Sequence, residues 1–137
     1  MKKMKNRFLT TLLIALASFV AIIGCSKPEP EQQTNKDEYY VKYLFEGTNR
    51  VGYNVYRDCA ISFTSEKGQV EMAFKTVNGL SHEVITGPFN YGSKVYATLD
   101  GGGFPNTSIQ IFVSKNDSPF ALKGMTNEGR LEYTIDY

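Results

Sequence analysis

Residues 39–46 have the sequence YYVKYLFE, in which large apolar residues alternate with a second set. Tyr39, Val41, Tyr43 and Phe45 point to one side of an extended chain, and the residues between them point to the other. A period of two, rich in tyrosine, valine and phenylalanine, is typical of a β-strand that buries one face. The stretch therefore predicts a strand with one side in a core.

The same alternation recurs toward the C-terminus in short runs. These runs are Cys59-Ile61-Phe63, Val70-Met72-Phe74, Val84 and Ile85, Val95-Ala97-Leu99, Ile109-Ile111-Val113 and Leu131-Tyr133-Ile135. Turn-forming residues separate them, among them Asn78-Gly79, Gly87-Pro88 and Gly101-Gly102-Gly103. We therefore predict that residues 39–137 form an all-β, two-layer antiparallel β-sandwich of seven to eight strands. For residues 48–58, a strand and a long surface loop both fit the sequence.

The first 24 residues have the composition of a secretion signal. Basic residues up to Arg7 precede an apolar run over residues 8–23, which is shorter than the roughly 20 residues of a membrane span. The run ends in Ile-Ile-Gly24-Cys25, which resembles the lipobox of bacterial lipoproteins. The resemblance implies cleavage between Gly24 and Cys25, a diacylglycerol thioether on Cys25, and acylation of the new amine. An uncleaved N-terminal helix is the alternative.

Residues 25–38 connect this cysteine to the body of the chain. After Cys25 they read SKPEPEQQTNKDE, a polar segment whose only apolar residues are two prolines. Such a composition buries too little surface to fold, so it predicts a disordered tether. In the lipoprotein family, Ser26 in place of aspartate favours the outer membrane. The periplasmic and the surface face of that membrane both remain open.

The charge of the mature part argues against nucleic-acid binding. The chain has 15 basic and 14 acidic residues, but four basic residues lie in the leader, so residues 25–137 carry 11 basic against 14 acidic residues, a net charge of −3. Binding to phosphates needs clustered Lys and Arg. With one histidine and two cysteines in the whole chain, we predict no metal site and no cofactor.

The candidate reactive residues favour structural roles. Cys59 shares the inward phase of Ile61 and Phe63, so we predict a small core residue and not a nucleophile. His82 is predicted to be a solvated residue at a strand start. The glycines at 101–103 lack the lysine and helix of a phosphate loop and predict a connection between strands. We therefore predict that the chain has no catalytic residues and is not an enzyme.

The strand layout also resembles a known group of proteins. The stretches that carry the resemblance are YYVKY at 39–43, ISFT at 61–64, TGPF at 86–89 and TSIQIFVSK at 107–115. They look like small Bacteroides-type lipoproteins and, more loosely, are similar to the extracytoplasmic domain of mycobacterial small membrane proteins. The resemblance covers residues 39–137. It implies an immunoglobulin-like sandwich and offers no catalytic residues.

Three aromatic side chains fall on the outward phase of their strands, namely Tyr40, Tyr96 and Phe112. They either pair across strands on the outer surface or form an exposed platform for a glycan or an envelope protein. Together with the anchor, the platform favours a non-catalytic binding or accessory module of the cell envelope that binds on a sheet face. A fimbrial-type assembly subunit is the alternative, because a sandwich with open edges can receive a donor strand.

Overall fold

Strand β1 (Tyr39–Thr48) has the alternation that its sequence predicts, with Tyr39, Val41, Tyr43 and Phe45 buried. The computed structural model describes residues 36–49 and 55–136, and within them it contains eight strands and no helix. The other strands are β2 (Arg57–Ser65), β3 (Gly68–Thr76), β4 (Gly79–Phe89), β5 (Lys94–Asp100), β6 (Asn106–Lys115), β7 (Ala121–Thr126) and β8 (Arg130–Thr134).

The strands form two antiparallel sheets that pack face to face. Sheet A has the order β4-β1-β6-β7, and sheet B has the order β3-β2-β5-β8. The chain crosses from one sheet to the other after β1, β3, β4, β5 and β7. This confirms the predicted all-β, two-layer antiparallel sandwich, with eight strands from the predicted seven to eight.

Several predictions concern residues that lie outside the described ones. These are the leader (1–24), the lipidation site at Gly24 and Cys25, and the tether up to residue 35. In the segment between β1 and β2, residues 50–54 also lie outside. Val55 and Tyr56 are exposed and have no regular structure.

Residues 37 and 38 contact the turn that follows β6. The Asp37 carboxylate lies 2.7 Å from Lys115 Nζ, and the Asn116 N–H donates to the Glu38 carbonyl over 2.7 Å. The hydrogen bond from Lys115 holds the pKa of Asp37 below its usual value. The chain is thus attached to sheet A just before β1 begins.

One polar contact in the core joins the two sheets. The Tyr43 hydroxyl donates to the main-chain oxygen of Thr64 over 2.7 Å, and the Thr86 hydroxyl donates to the same oxygen over 3.3 Å. Tyr43 and Thr86 belong to sheet A, whereas Thr64 belongs to sheet B. Burial raises the pKa of Tyr43 above its ordinary value, so the hydroxyl keeps its proton at neutral pH.

The dipeptide Gly87-Pro88 lies inside β4, and the prediction that it ends a strand is wrong. Opposite Tyr39 to Val41 the register of β4 advances by three residues instead of two, which is a β-bulge. Gly87 has a φ of +134°, and a Cβ at this position would lie 2.8 Å from the Tyr39 carbonyl oxygen. Bulges and turns favour the same residues, so the sequence does not distinguish them.

We expect Gly87→Ala to destabilise the sandwich more than Gly68→Ala does. Both glycines have a strongly positive φ, which costs another residue about 1–3 kcal/mol, but only at Gly87 would the new Cβ also meet main-chain atoms. Urea unfolding of the two variants measures the difference. Equal losses would show that the contact with Tyr39 is relieved without cost.

Candidate functional site

The outer face of sheet A carries a group of apolar side chains. Two neighbouring rows of side chains cross its four strands: Ile85, Lys42, Phe112 and Leu122 in one row, and Glu83, Leu44, Gln110 and Met125 in the next. Their apolar members, together with Phe120 just before β7, form what we call the apolar face: Leu44, Ile85, Phe112, Phe120, Leu122 and Met125. Ile85 and Leu122 are each 53% exposed and Met125 is 60% exposed.

Lys42 lies in the middle of the apolar face. Its ammonium is 4.7 Å from the centre of the Phe112 ring and 5.4 Å from that of Phe120. The same ammonium lies 3.5 Å from the Glu83 carboxylate. Lys42 therefore places its ammonium over the faces of both rings and beside a carboxylate.

The β4–β1 side of this face is acidic. Glu83 is half-exposed beside Leu44, and Glu46 follows on β1. The Glu46 carboxylate accepts hydrogen bonds from Ser108 over 3.3 Å and from Gln110 over 3.1 Å. Two carboxylates against the single ammonium of Lys42 leave this side of the face with a net negative charge.

The structure separates the three aromatic residues that the sequence singled out. Tyr40 on β1 and Phe112 on β6 belong to sheet A, whereas Tyr96 on β5 belongs to sheet B. Tyr96 and Phe112 thus lie on opposite outer faces and do not form one patch. All three are only partly exposed, and the Tyr40 hydroxyl donates to the Glu38 carboxylate over 3.1 Å.

The outer face of sheet B has a different chemistry. Small side chains, Ala60, Ser62, Ala73 and Thr98, line a surface depression of about 390 Å³. The Ser62 and Thr98 hydroxyls are hydrogen-bonded to each other. Tyr96 lies farther along β5, opposite Glu132 of β8.

No family model, curated protein or solved structure matches the chain.

Residues 36–49 and 55–136 contain no group of three His, Cys, Asp or Glu side chains that could hold a metal ion. They also contain no helix of the length and hydropathy needed to cross a membrane.

Cys59 lies in the core, as predicted, and is 2% exposed. Burial raises the pKa of its thiol, and the nearby Asp100 carboxylate raises it further. The thiol is therefore protonated at neutral pH and is a poor nucleophile.

The predicted position of His82 was wrong. The residue lies inside β4 on the core-facing side, opposite Phe45, and not at a solvated strand start. Its ring is half-buried, and its centre lies 5.7 Å from that of the Phe74 ring.

The glycines at 101–103 lie between β5 and β6, as predicted, where Arg57 Nη1 donates to the Gly102 carbonyl over 3.0 Å.

Sequence reasoning missed most of the apolar face. Leu44 and Ile85 fall on the outward phase of their strands, and this was the available signal. Leu122 and Met125 belong to β7, which no apolar run predicted. Only the register of β7 against β6 places them beside Phe112 and Gln110.

We expect Cys59 to react slowly with iodoacetamide in the folded protein at pH 8 and rapidly after urea unfolding, because its thiol is buried and protonated. Cys59→Ala should lower the free energy of unfolding by about 1 kcal/mol, as a small core truncation does. Peptide mass spectrometry and urea titration give the two results. Rapid alkylation of the native chain would contradict the core assignment.

Proposed function

We propose that the chain is a lipid-anchored, non-catalytic binding module of the bacterial cell envelope, and that its apolar face binds an envelope protein. The observation that carries the proposal is the apolar face itself, with three aliphatic side chains at least half-exposed. A soluble domain rarely leaves such a group in water unless something covers it.

The anchor is supported by the order of features along the N-terminus. A basic start, an apolar run, Gly24-Cys25 and a polar proline-containing segment follow one another as in bacterial lipoproteins. Two or three acyl chains on Cys25 would hold the module at the outer membrane. Both the periplasmic and the surface face are compatible with this proposal.

A protein partner is favoured over a glycan by the state of the aromatic rings. Sugars stack on open ring faces and need polar groups around them, but Lys42 already covers Phe112 and Phe120. The exposed parts of the face are the aliphatic chains of Ile85, Leu122 and Met125. Such chains bury well against the apolar centre of a protein interface.

The charges on this face specify the partner further. Because Glu46 and Glu83 leave its β4–β1 side negative, the complementary surface carries apolar side chains opposite Ile85, Leu122 and Met125 and basic ones opposite Glu46 and Glu83. Lys42 is already paired, so the partner needs no carboxylate for it.

We expect the mature protein to begin at Cys25 and to carry acyl chains there. Mass spectrometry of the chain extracted from membranes measures the N-terminal mass, and Cys25→Ser should leave an unlipidated precursor. An intact Met1, or a mature N-terminus at another residue, would contradict the anchor.

We expect the partner to contact Met125 and not Tyr96. A photoreactive phenylalanine analogue at Met125 should crosslink in cells to one envelope protein, whereas the same analogue at Tyr96, on the opposite sheet, serves as the control. Leu122→Ser should reduce the crosslink at least tenfold without changing the thermal midpoint, because Leu122 is exposed. Equal crosslinking from both positions, or a crosslink unaffected by Leu122→Ser, would refute the proposal.

A further inference from the structure

The four edge strands of the described sandwich differ in how they are protected against pairing with another strand. β4 is interrupted by the bulge at Gly87 and carries Pro88, β7 has six residues and a register shift against β6, and β8 has five residues. β3 has nine residues in continuous register with β2, without a bulge or a proline. Bulges, prolines, short length and charged side chains are the usual devices that block edge pairing. β3 has only the last of these, in Glu71 and Lys75.

The hairpin between β2 and β3 determines which main-chain groups of β3 point outward. Ser65 and Gly68 face each other across a two-residue turn, so they form a hydrogen-bonded pair. From Gly68 onward, every second residue directs its N–H and C=O to β2. The groups of the residues between them point away from sheet B: Gln69, Glu71, Ala73 and Lys75.

The inner side of β3 is also incompletely covered. Val70 and Phe74 are half-buried and Met72 is 39% exposed, although all three lie on the core-facing side of sheet B. An added strand would cover these side chains and bond to the outward main-chain groups in the same step.

The side chains of β3 complement a second copy of β3 in one antiparallel register. When the two-fold axis passes through Ala73, Glu71 faces the partner's Lys75 and Lys75 faces the partner's Glu71. On the inner side, Met72 faces the partner's Phe74, and this sulfur–aromatic contact also occurs twice. The axis itself meets two small alanines.

Neighbouring registers lack this complementarity. An axis through Glu71 places two glutamates opposite each other, and an axis through Lys75 does the same with two lysines. Axes through Met72 or Phe74 leave both charges opposite uncharged residues. In sheet B itself, Lys75 also lies 3.6 Å from Asp58, but both side chains are largely exposed and remain able to reorient.

We propose that two copies of this chain associate through β3, antiparallel about Ala73, so that their B sheets become one eight-stranded sheet. The contact is small and is expected at the weak end of specific interfaces. It goes beyond the proposed function and does not depend on it, because it uses an edge of sheet B and leaves the apolar face of sheet A open.

Cysteine crosslinking of the full chain tests the pairing. In a hydrogen-bonded antiparallel pair the two residues at position 73 have Cα atoms about 5.5 Å apart, within the range of a disulfide. Ala73→Cys should therefore give a disulfide dimer on mild oxidation. Ala60→Cys is the matched control, since Ala60 is also exposed but lies three strand spacings, about 14 Å, from its counterpart. The native cysteines are the same in both variants.

Charge reversal then tests the register. In the Ala73→Cys background, Glu71→Lys and Lys75→Glu should each lower dimer formation about tenfold, because each creates two like-charge pairs. The double variant should regain the original yield. Mixing the two single variants should give heterodimers, because their charges again complement each other. Glu132→Lys, on the opposite edge of the same sheet, should have no effect.

Three results of these experiments would contradict the proposed pairing through β3. Equal crosslinking of Ala73→Cys and Ala60→Cys, or no recovery in the double variant and the mixture, would overturn the proposal. A disulfide that joins the thiol of the Ala73→Cys variant to a different protein would also overturn it, since the edge would then receive a foreign strand. None of these results bears on crosslinking at Met125, so this inference and the proposed function fail independently.

Discussion

The carbonyl of Thr64, which accepts hydrogen bonds from the opposite sheet, sets the constraint around which the sandwich is arranged. A main-chain oxygen that turns toward an apolar core must find a donor, and two donors come from the opposite sheet, on Tyr43 and Thr86. The contact requires β1 to present its tyrosine at the level where β2 reaches Thr64. The Thr64 side chain then bonds to the main chain of Tyr96, just beyond the last residue pair of the β2–β5 ladder. Thr64 thus connects β2 to β1 and β4 of sheet A and to β5 of sheet B.

This arrangement leaves the outer faces free to differ. Because side chains alternate along a strand, the core determines one phase only, and the other phase carries whatever chemistry the surface needs. On sheet A the outward phase carries aliphatic and aromatic side chains around Lys42. On sheet B it carries small and polar side chains around Ser62 and Thr98. A pairing through β3 would be isologous and closed, unlike the open head-to-tail contacts of a fimbrial subunit.

The sequence alone predicts a structural feature correctly where the pattern that indicates it lies within one short segment. The inward phases of β1, β2, β5 and β6 follow from alternation alone. β7 was missed because its sequence ALKGMT lacks β-branched and aromatic residues ahead of its last threonine, and contains a glycine. β7 forms because it pairs with β6 and because Leu131 packs near Gly124. Both contacts are made with residues outside the strand itself, so its own sequence does not show them.

The candidate site depended on strand order, which alternation does not encode. Tyr96 and Phe112 have the same phase in consecutive strands, but the connection at residues 101–105 carries the chain to the other sheet and places them on opposite faces. His82 and Gly87-Pro88 were misplaced for a related reason. Their residue types fit turns and strand interiors equally well, and only the register of β4 against β1 decides between these positions.

The central position of β1 determines how the module responds to mechanical load. Force that reaches the domain through its N-terminus enters at Asp37 and Glu38 and runs along β1, which is paired on both sides, with β4 and with β6, over nearly its whole length. The hydrogen bonds of both ladders lie across the direction of pull, so they are sheared together and are not peeled one after another. A domain held in this way resists extension from its N-terminal end, whereas the same force along the edge strand β8 would shear only the five residue pairs that join it to β5.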